Sequence, residues 1–291
     1  MSSEKIKPSD AGAWLASLVA QPPRAARFIV TVYGDAVVPR RGILWMGTLI
    51  EIANAAGLSE SLVRTAVSRL VAAGQLIGER VGRRSYYRLT DPARVEFSAA
   101  ESVLFSGQPD AKGWVFFMPE NSNQLMPDDF ALIAKGVYLG PDKTGQRFPP
   151  GLVFHSSTVE GAAMLPGYVS QYWDLASVSA AYARVIDRFA PLADMMAAGV
   201  SLSPEDSLIA RLLLVDDFRA AVLQDPRLPP NALPADWPRQ EATALFASLY
   251  LSLTPQADSH IGAIFRDASG VLPASTPQTV HRLAALKASL K

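Results

Sequence analysis

The sequence predicts an α+β protein of several domains: a helical lobe closed by a β-hairpin, a small mixed domain in the middle, and a helical remainder. Three observations predict it. Up to residue 73 apolar residues recur with the helical period between tight glycine and proline punctuation, and from residue 75 they alternate around Gly82. Short apolar runs bounded by Gly and Pro fill residues 113 to 157. From residue 166 the helical period returns, broken by one proline-rich stretch. The expected division is an extension at 1–22, a helix-turn-helix lobe at 23–94, a central α+β domain at 95–165 and a helical domain at 166–291.

Within the lobe, Ala25, Phe28, Ile29 and Val32 stand at i, i+3, i+4 and i+7, one buried face of a helix that gives way near Gly34-Asp35. "VVPRRGILW" reads as a turn carrying Arg40 and Arg41, followed by a short strand. A second helix places Met46, Leu49, Ile50 and Ala53 on one face, with Gly57 as its left-handed cap and Ser59 opening the next helix at once. A connection of this length with a glycine lets two helices cross steeply. In the third helix, 60–73, Val63, Ala66, Val67 and Leu70 form the inner stripe, and Ser61, Arg64, Thr65 and Ser68, with Arg69, form the opposite face. A face of hydroxyls and guanidiniums suits a major groove, because Arg pairs bidentately with guanine and hydroxyls take phosphate or base contacts.

"QLIGERVGRRSYYRLT" follows as a hairpin, or wing. Alternation turns Ile77, Val81, Tyr87 and Leu89 toward the helices and leaves Arg80, Tyr86 and Arg88 outward, with Arg83 and Arg84 at the tip, where they reach phosphates or the minor groove. An outward Tyr86 either gives its hydroxyl to a phosphate or covers aliphatic surface. Charge supports this placement. The formal net charge of the chain is zero, yet residues 23–94 hold 11 Arg against 5 acids, a net of +6, and residues 95–291 hold 14 basic against 20 acidic residues, a net of −6. A basic lobe joined to an acidic body points to one polyanion-facing end.

Other classes are narrowed by composition. The chain has no cysteine, so disulfides, thiolate metal sites and cysteine nucleophiles are excluded, and its three histidines never stand in a ligand pair. No run of about 18 apolar residues marks a membrane span and no secretory signal opens the sequence, so a cytoplasmic protein is expected. In the middle segment "GWVFFMP", "GVYLGP" and "GLVFHSS" read as strands and "DDFALIAK" as a short helix. Asp128 and Asp129 favour a helix start over a metal site, and His155 favours a core position. Ser203-Pro204-Glu205-Asp206 starts a helix that runs to Pro226, "DPRLPPNALPADWP" is an ordered extended connector, and "RQEATALFASLYLSL" is helical again. Arg211, Arg219 and Tyr250 either line an effector cleft or serve as scaffold.

The chain resembles the PaaX-like regulators, the repressors of phenylacetic acid degradation operons. The resemblance rests on "VYGDAVVPRRGILWMGTLI", "LVRTAVSRLVAAGQL" and "GRRSYYRLT" in the lobe, and on "YWDL", "RLLLVDDFRAAVLQDPRLPPNALPADWP" and Leu249-Tyr250 further on. It implies a winged helix-turn-helix, a central ferredoxin-like domain similar to the Cas2 fold, and a helical C-terminal domain. It also implies a non-enzymatic, cofactor-free homodimer that holds double-stranded operator DNA until an aryl-CoA thioester such as phenylacetyl-CoA, or another acyl-CoA, releases it. A metal-dependent nuclease built on the central domain is the alternative. The segment "PENSNQLMPDDFALIAK" lacks the basic residues expected of a helix in that domain.

Overall fold

The protein was analysed as a computed structural model, which describes residues 8–105, 110–121, 126–127, 129–157 and 159–289. In chain order the front comprises α1 (Pro8–Val19), α2 (Ala25–Val32), β1 (Ile43–Trp45), α3 (Met46–Ala55), α4 (Glu60–Ala72), β2 (Leu76–Val81), β3 (Arg84–Leu89) and α5 (Asp91–Phe105). Then come β4 (Trp114–Pro119), β5 (Ala131–Ala134), β6 (Val137–Pro141), β7 (Gly151–Ser156), α6 (Leu165–Val169) and α7 (Leu175–Ala197). The rest is α8 (Pro204–Val222), α9 (Arg239–Ile264), a short hairpin of β8 (Arg266–Asp267) and β9 (Gly270–Val271), and α10 (Pro277–Ser289). The fold is mixed α+β, and no described helix is long and apolar enough to cross a membrane.

The chain forms two compact units that cut across the linear order. One unit is Met1–Gly107, Ala183–Ala220 and Glu241–Lys291, and the other is Gln108–Tyr182 and Ala221–Gln240. In the first unit α8 is the central helix, since every residue from Ser207 to Asp216 is buried. A helix covered on all sides must satisfy the polar groups it carries inside, and Arg211 and Asp216 both find partners. Asp216 accepts from Arg27 at 2.6 and 2.9 Å and from Thr31 at 2.9 Å. The expected extension is itself a packed helix, α1, whose Trp14 indole donates to the Arg188 carbonyl at 2.9 Å.

The lobe's local signals act as predicted. Phe28, Ile29 and Val32 are buried on α2, but the helix does not end at Gly34; it continues as a π-helical turn, Tyr33–Val37, and a 3-10 turn, Val38–Arg40. Ser59 caps α4 by accepting from the Leu62 amide at 3.4 Å. α3 and α4 end alike, with Gly57 (φ 86°) and Gly74 (φ 68°) in the left-handed region. Around them Leu58 N donates to Ala53 O and Gln75 N to Leu70 O, so the last carbonyls of both helices are satisfied. β1, β3 and β2 form an antiparallel sheet with β3 in the centre.

The second unit is built on an antiparallel sheet of order β5-β6-β4-β7. Trp114 and Leu139 pack with Val169, Trp173, Leu228 and Leu233, so the proline-rich stretch forms part of this core. Val115 and Phe117 pack with Phe130 and Phe148 in a second cluster. Two expectations are corrected here. The segment read as a helix holds strand β5, because Ala131 and Ile133 share one face and pack on the first cluster. His155 is exposed with Nδ1 3.0 Å from the Asp142 carboxylate, because β7 is an edge strand of the sheet and only Val153 of its residues packs on the second cluster. Among the described residues the connections at 120–130 and 142–150 contain no helix, although a ferredoxin-like domain carries one between each such pair of strands. Asp129 is paired with Lys143 at 2.6 Å, and Asp128 lies outside the described residues.

Candidate nucleic-acid interface

α4 separates its residues as its period requires. Val63, Ala66, Val67 and Leu70 are buried, and Ser61, Arg64, Thr65, Ser68 and Arg69 are exposed. Burying each Val or Leu is worth about 1.5–3 kcal/mol, which holds the polar face outward. Arg64 reaches back to Glu60 at 2.7 Å, an exposed i,i+4 pair of little energetic weight that leaves donors free. β2 and β3 pair from Leu76↔Leu89 to Val81↔Arg84, so Gly82 and Arg83 are the two residues of the turn. Arg83 stands exposed at the tip, while Arg84 lies over the Trp45 ring at 4.8 Å.

Between α4 and the hairpin runs a groove lined by Arg64, Val67 and Ser68 on one side and by Gly78, Arg80 and Tyr87 on the other. This register corrects the expected facing of β2. Gly78 pairs with Tyr87 and Arg80 with Ser85, so Arg80 turns into the groove, and Ile77 and Val81 are left outside at 44 % and 47 % exposure. A shift of one residue inverts every side chain of a strand. Tyr87 takes its place because Gly78 is small: a β-carbon there would lie 2.7 Å from the Tyr87 ring.

The charge excess is smaller at the surface than in the sequence. Arg27 is paired with Asp216, Arg40 with Asp258 at 2.7 Å, and Arg41 with Asp267 at 3.2 Å. These acids come from the later, acidic part of the chain, so much of the asymmetry cancels inside one unit. What stays exposed is concentrated on α4 and the hairpin, at Arg69, Arg80, Arg83 and Arg84.

Arg40 enters a buried cluster of charges. Arg211, 1 % exposed, contacts Asp35 at 2.9 Å and Asp258 at 2.7 Å. Arg282 donates to the Gly34 and Asp35 carbonyls at 3.1 Å and meets Glu101 at 2.7 Å, and the Tyr250 hydroxyl donates to Asp35 at 2.7 Å. Burial pushes the Asp35 carboxyl up, but Arg211, Arg282, the Tyr250 hydrogen bond and Arg40 together hold it below the usual carboxylate range. Burial, reinforced by the Asp35 charge, pushes the Tyr250 phenol up to about 12.

Two regions of the chain match family descriptions: residues 24–93 match "PaaX-like protein" and residues 173–263 match "PaaX-like protein C-terminal domain". The chain belongs to the PaaX-like family. It is 29 % identical over 281 residues to the transcriptional repressor PaaX of Escherichia coli (strain K12), an alignment covering 88 % of each chain. A solved structure of an uncharacterized Mycobacterium tuberculosis protein is similar at 21 % identity, covering 73 % of this chain and 89 % of that one with a TM-score of 0.44.

In this PaaX-like chain the predicted residues divide by burial. The structure brings Ser61, Arg64, Thr65, Ser68, Arg69 and Arg83 to the surface of α4 and the hairpin turn. Arg40 does not join them: at 1 % exposure it donates to the Ala36 and Ala274 carbonyls and is locked to Asp258. Arg41 keeps an exposed stem but is tied to Val271 and Asp267 of the β8–β9 hairpin. Tyr86 is also corrected. It stands between its cross-strand partners Trp45 and Glu79 on the sheet face opposite Tyr87, as expected, but is buried there at 6 % exposure. Arg211 and Tyr250 belong to the buried cluster, at 1 % and 3 % exposure, whereas Arg219 lines a pocket beside α5. Residues missed in the sequence are Arg80, Gly78 and Tyr87 in the groove, and Asp35, Asp258 and Arg282 in the cluster. The β2–β3 register signals the first set, and no local pattern signals the second.

Proposed function

We propose that the protein is a DNA-binding transcriptional repressor whose front lobe works as a winged helix-turn-helix, α4 entering the major groove and the β2–β3 turn reaching flanking phosphates. The observation that carries this reading is the exposed set Ser61, Arg64, Thr65, Ser68 and Arg69 on one face of α4, beside a hairpin whose turn presents Arg83. The protein acts as a homodimer on a two-fold operator, with half-sites spaced by about 34 Å or a multiple. Kinship with a repressor named PaaX supports control of an aromatic, phenylacetate-type catabolic operon and release by an acyl-CoA thioester such as phenylacetyl-CoA.

The test is a mobility shift on the DNA upstream of the protein's own gene. Arg64→Ala or Arg69→Ala costs about 1–3 kcal/mol on the cognate site and relaxes base preference. Arg83→Ala weakens all sequences alike and lowers the salt slope by about 1. Equal binding by wild type and the Arg64→Ala/Arg69→Ala double variant sinks the assignment of α4. Among the described residues no group of three His, Asp or Glu stands close enough to hold a metal ion, so no observation favours the nuclease reading.

A further inference from the structure

The groove between α4 and the hairpin is a trough, and it lies within the first unit. Its helix side is one stripe, Arg64, Val67, Ser68 and Val71, and its hairpin side is Gly78 and Arg80 of β2 with Ser85 and Tyr87 of β3. At 1.5 Å per residue the stripe follows α4 for about 10 Å, and the space measures about 420 Å³. One water takes only about 30 Å³. The charges at its border are unbalanced. Arg80 donates through Nε to the Gly82 carbonyl at 3.3 Å, and among the described residues no carboxylate pairs with it. Arg64 is held only by the exposed Glu60 at 2.7 Å. Glu79 also borders the trough, but it pairs with Tyr86, so its side chain belongs to the opposite face of the sheet. Ser68 and Ser85 add hydroxyls, and Val71, 40 % exposed, adds apolar surface.

An α-helix with its side chains is about 10–12 Å across, and the major groove of B-DNA is about 12 Å wide. A helix lodged there has a sugar-phosphate strand against each flank. The flank of α4 that faces the hairpin is this trough. We infer that the trough seats one strand of the DNA backbone, a phosphate accepting from Arg80 while the adjoining sugars lie on Val71 and Tyr87. The inference rests on the DNA-binding reading of α4 and adds a second wall to that site. The contact is separate from the one at the turn, because Arg80 points back toward α4 along the face it shares with Gly78, whereas Arg83 stands beyond the last strand pair, Val81↔Arg84. A strand gripped between helix and hairpin is fixed in position relative to α4, which sets the register in which the polar face of the helix meets the bases.

The experiment titrates the DNA upstream of the protein's own gene with full-length wild type, Arg80→Gln and Ser85→Asp at several salt concentrations. It is repeated on fragments in which one backbone phosphate at a time is replaced by an uncharged methylphosphonate. Arg80→Gln is expected to bind about tenfold more weakly, with a salt slope lower by about 1. Neutralising one phosphate beside the major groove of each half-site is expected to weaken wild type about tenfold and to weaken Arg80→Gln no further, since both changes remove the same contact. Ser85→Asp sets a carboxylate on the same wall and is expected to cost tenfold or more; it decides should Arg80→Gln fail to fold. Wild-type affinity and salt slope in Arg80→Gln, or an equal loss by wild type and Arg80→Gln at every neutralised phosphate, overturns the inference while the reading of α4 stands. Wild type that binds no DNA overturns both.

Discussion

Replacing Arg211 by Met keeps an unbranched apolar stem and removes the charge from the middle of α8. Asp35 then loses its 2.9 Å partner and Asp258 its 2.7 Å partner, in a site where Arg211 is 1 % exposed and Asp35 equally buried. Breaking a buried pair from one side costs about 3–5 kcal/mol. The lower end applies, because Asp35 keeps the Tyr250 hydroxyl at 2.7 Å and Asp258 keeps Arg40 at 2.7 Å. For a chain of this size about 3 kcal/mol lowers the melting temperature by roughly 6–12 °C. Thermal denaturation at pH 7 followed by circular dichroism measures it. Adding Asp35→Asn to Arg211→Met should cost less than the two single losses summed, by about 0.5–3 kcal/mol, since the orphaned charge is removed. A melting temperature within about 2 °C of wild type would refute the argument that the cluster holds the unit together. An effector role for Arg211 predicts the opposite pattern, with ligand affinity lost and melting unchanged.

Three more outcomes follow from the same structure. Asp35 has a depressed folded pKa, so its contribution is present above the unfolded value of about 4 and is lost as pH falls through the folded value; acid melts steepen below about pH 4, and Asp35→Asn flattens them. Tyr250 is raised to about 12, so its contribution is complete below about pH 10 and disappears as pH rises from about 10 toward that value; Tyr250→Phe reduces the alkaline slope in denaturant titrations. Gly78→Ala places a β-carbon 2.7 Å from the Tyr87 ring, an overpacking worth about 1–3 kcal/mol that moves Tyr87 out of the groove, read as weakened operator binding in the mobility shift.

The sequence by itself determined α4 and its two faces. Ser59, the four apolar residues at helical spacing and Gly74 act on neighbours within a few positions, so capping and amphipathicity are legible without any partner. The α+β character and three of the four central strands were legible for the same reason. Which arginines stay free was decided only by the tertiary structure. Arg40 and Arg69 carry the same expected role in the sequence, and what separates them is Asp258, brought to Arg40 by a helix from the far end of the chain. The facing of β2 had the same origin, since Leu76 and Ile77 are equally apolar and only pairing with Leu89 and Arg88 decides which of them is buried. Local periodicity states that a face exists; charge pairing and strand register, both long-range, decide what that face presents.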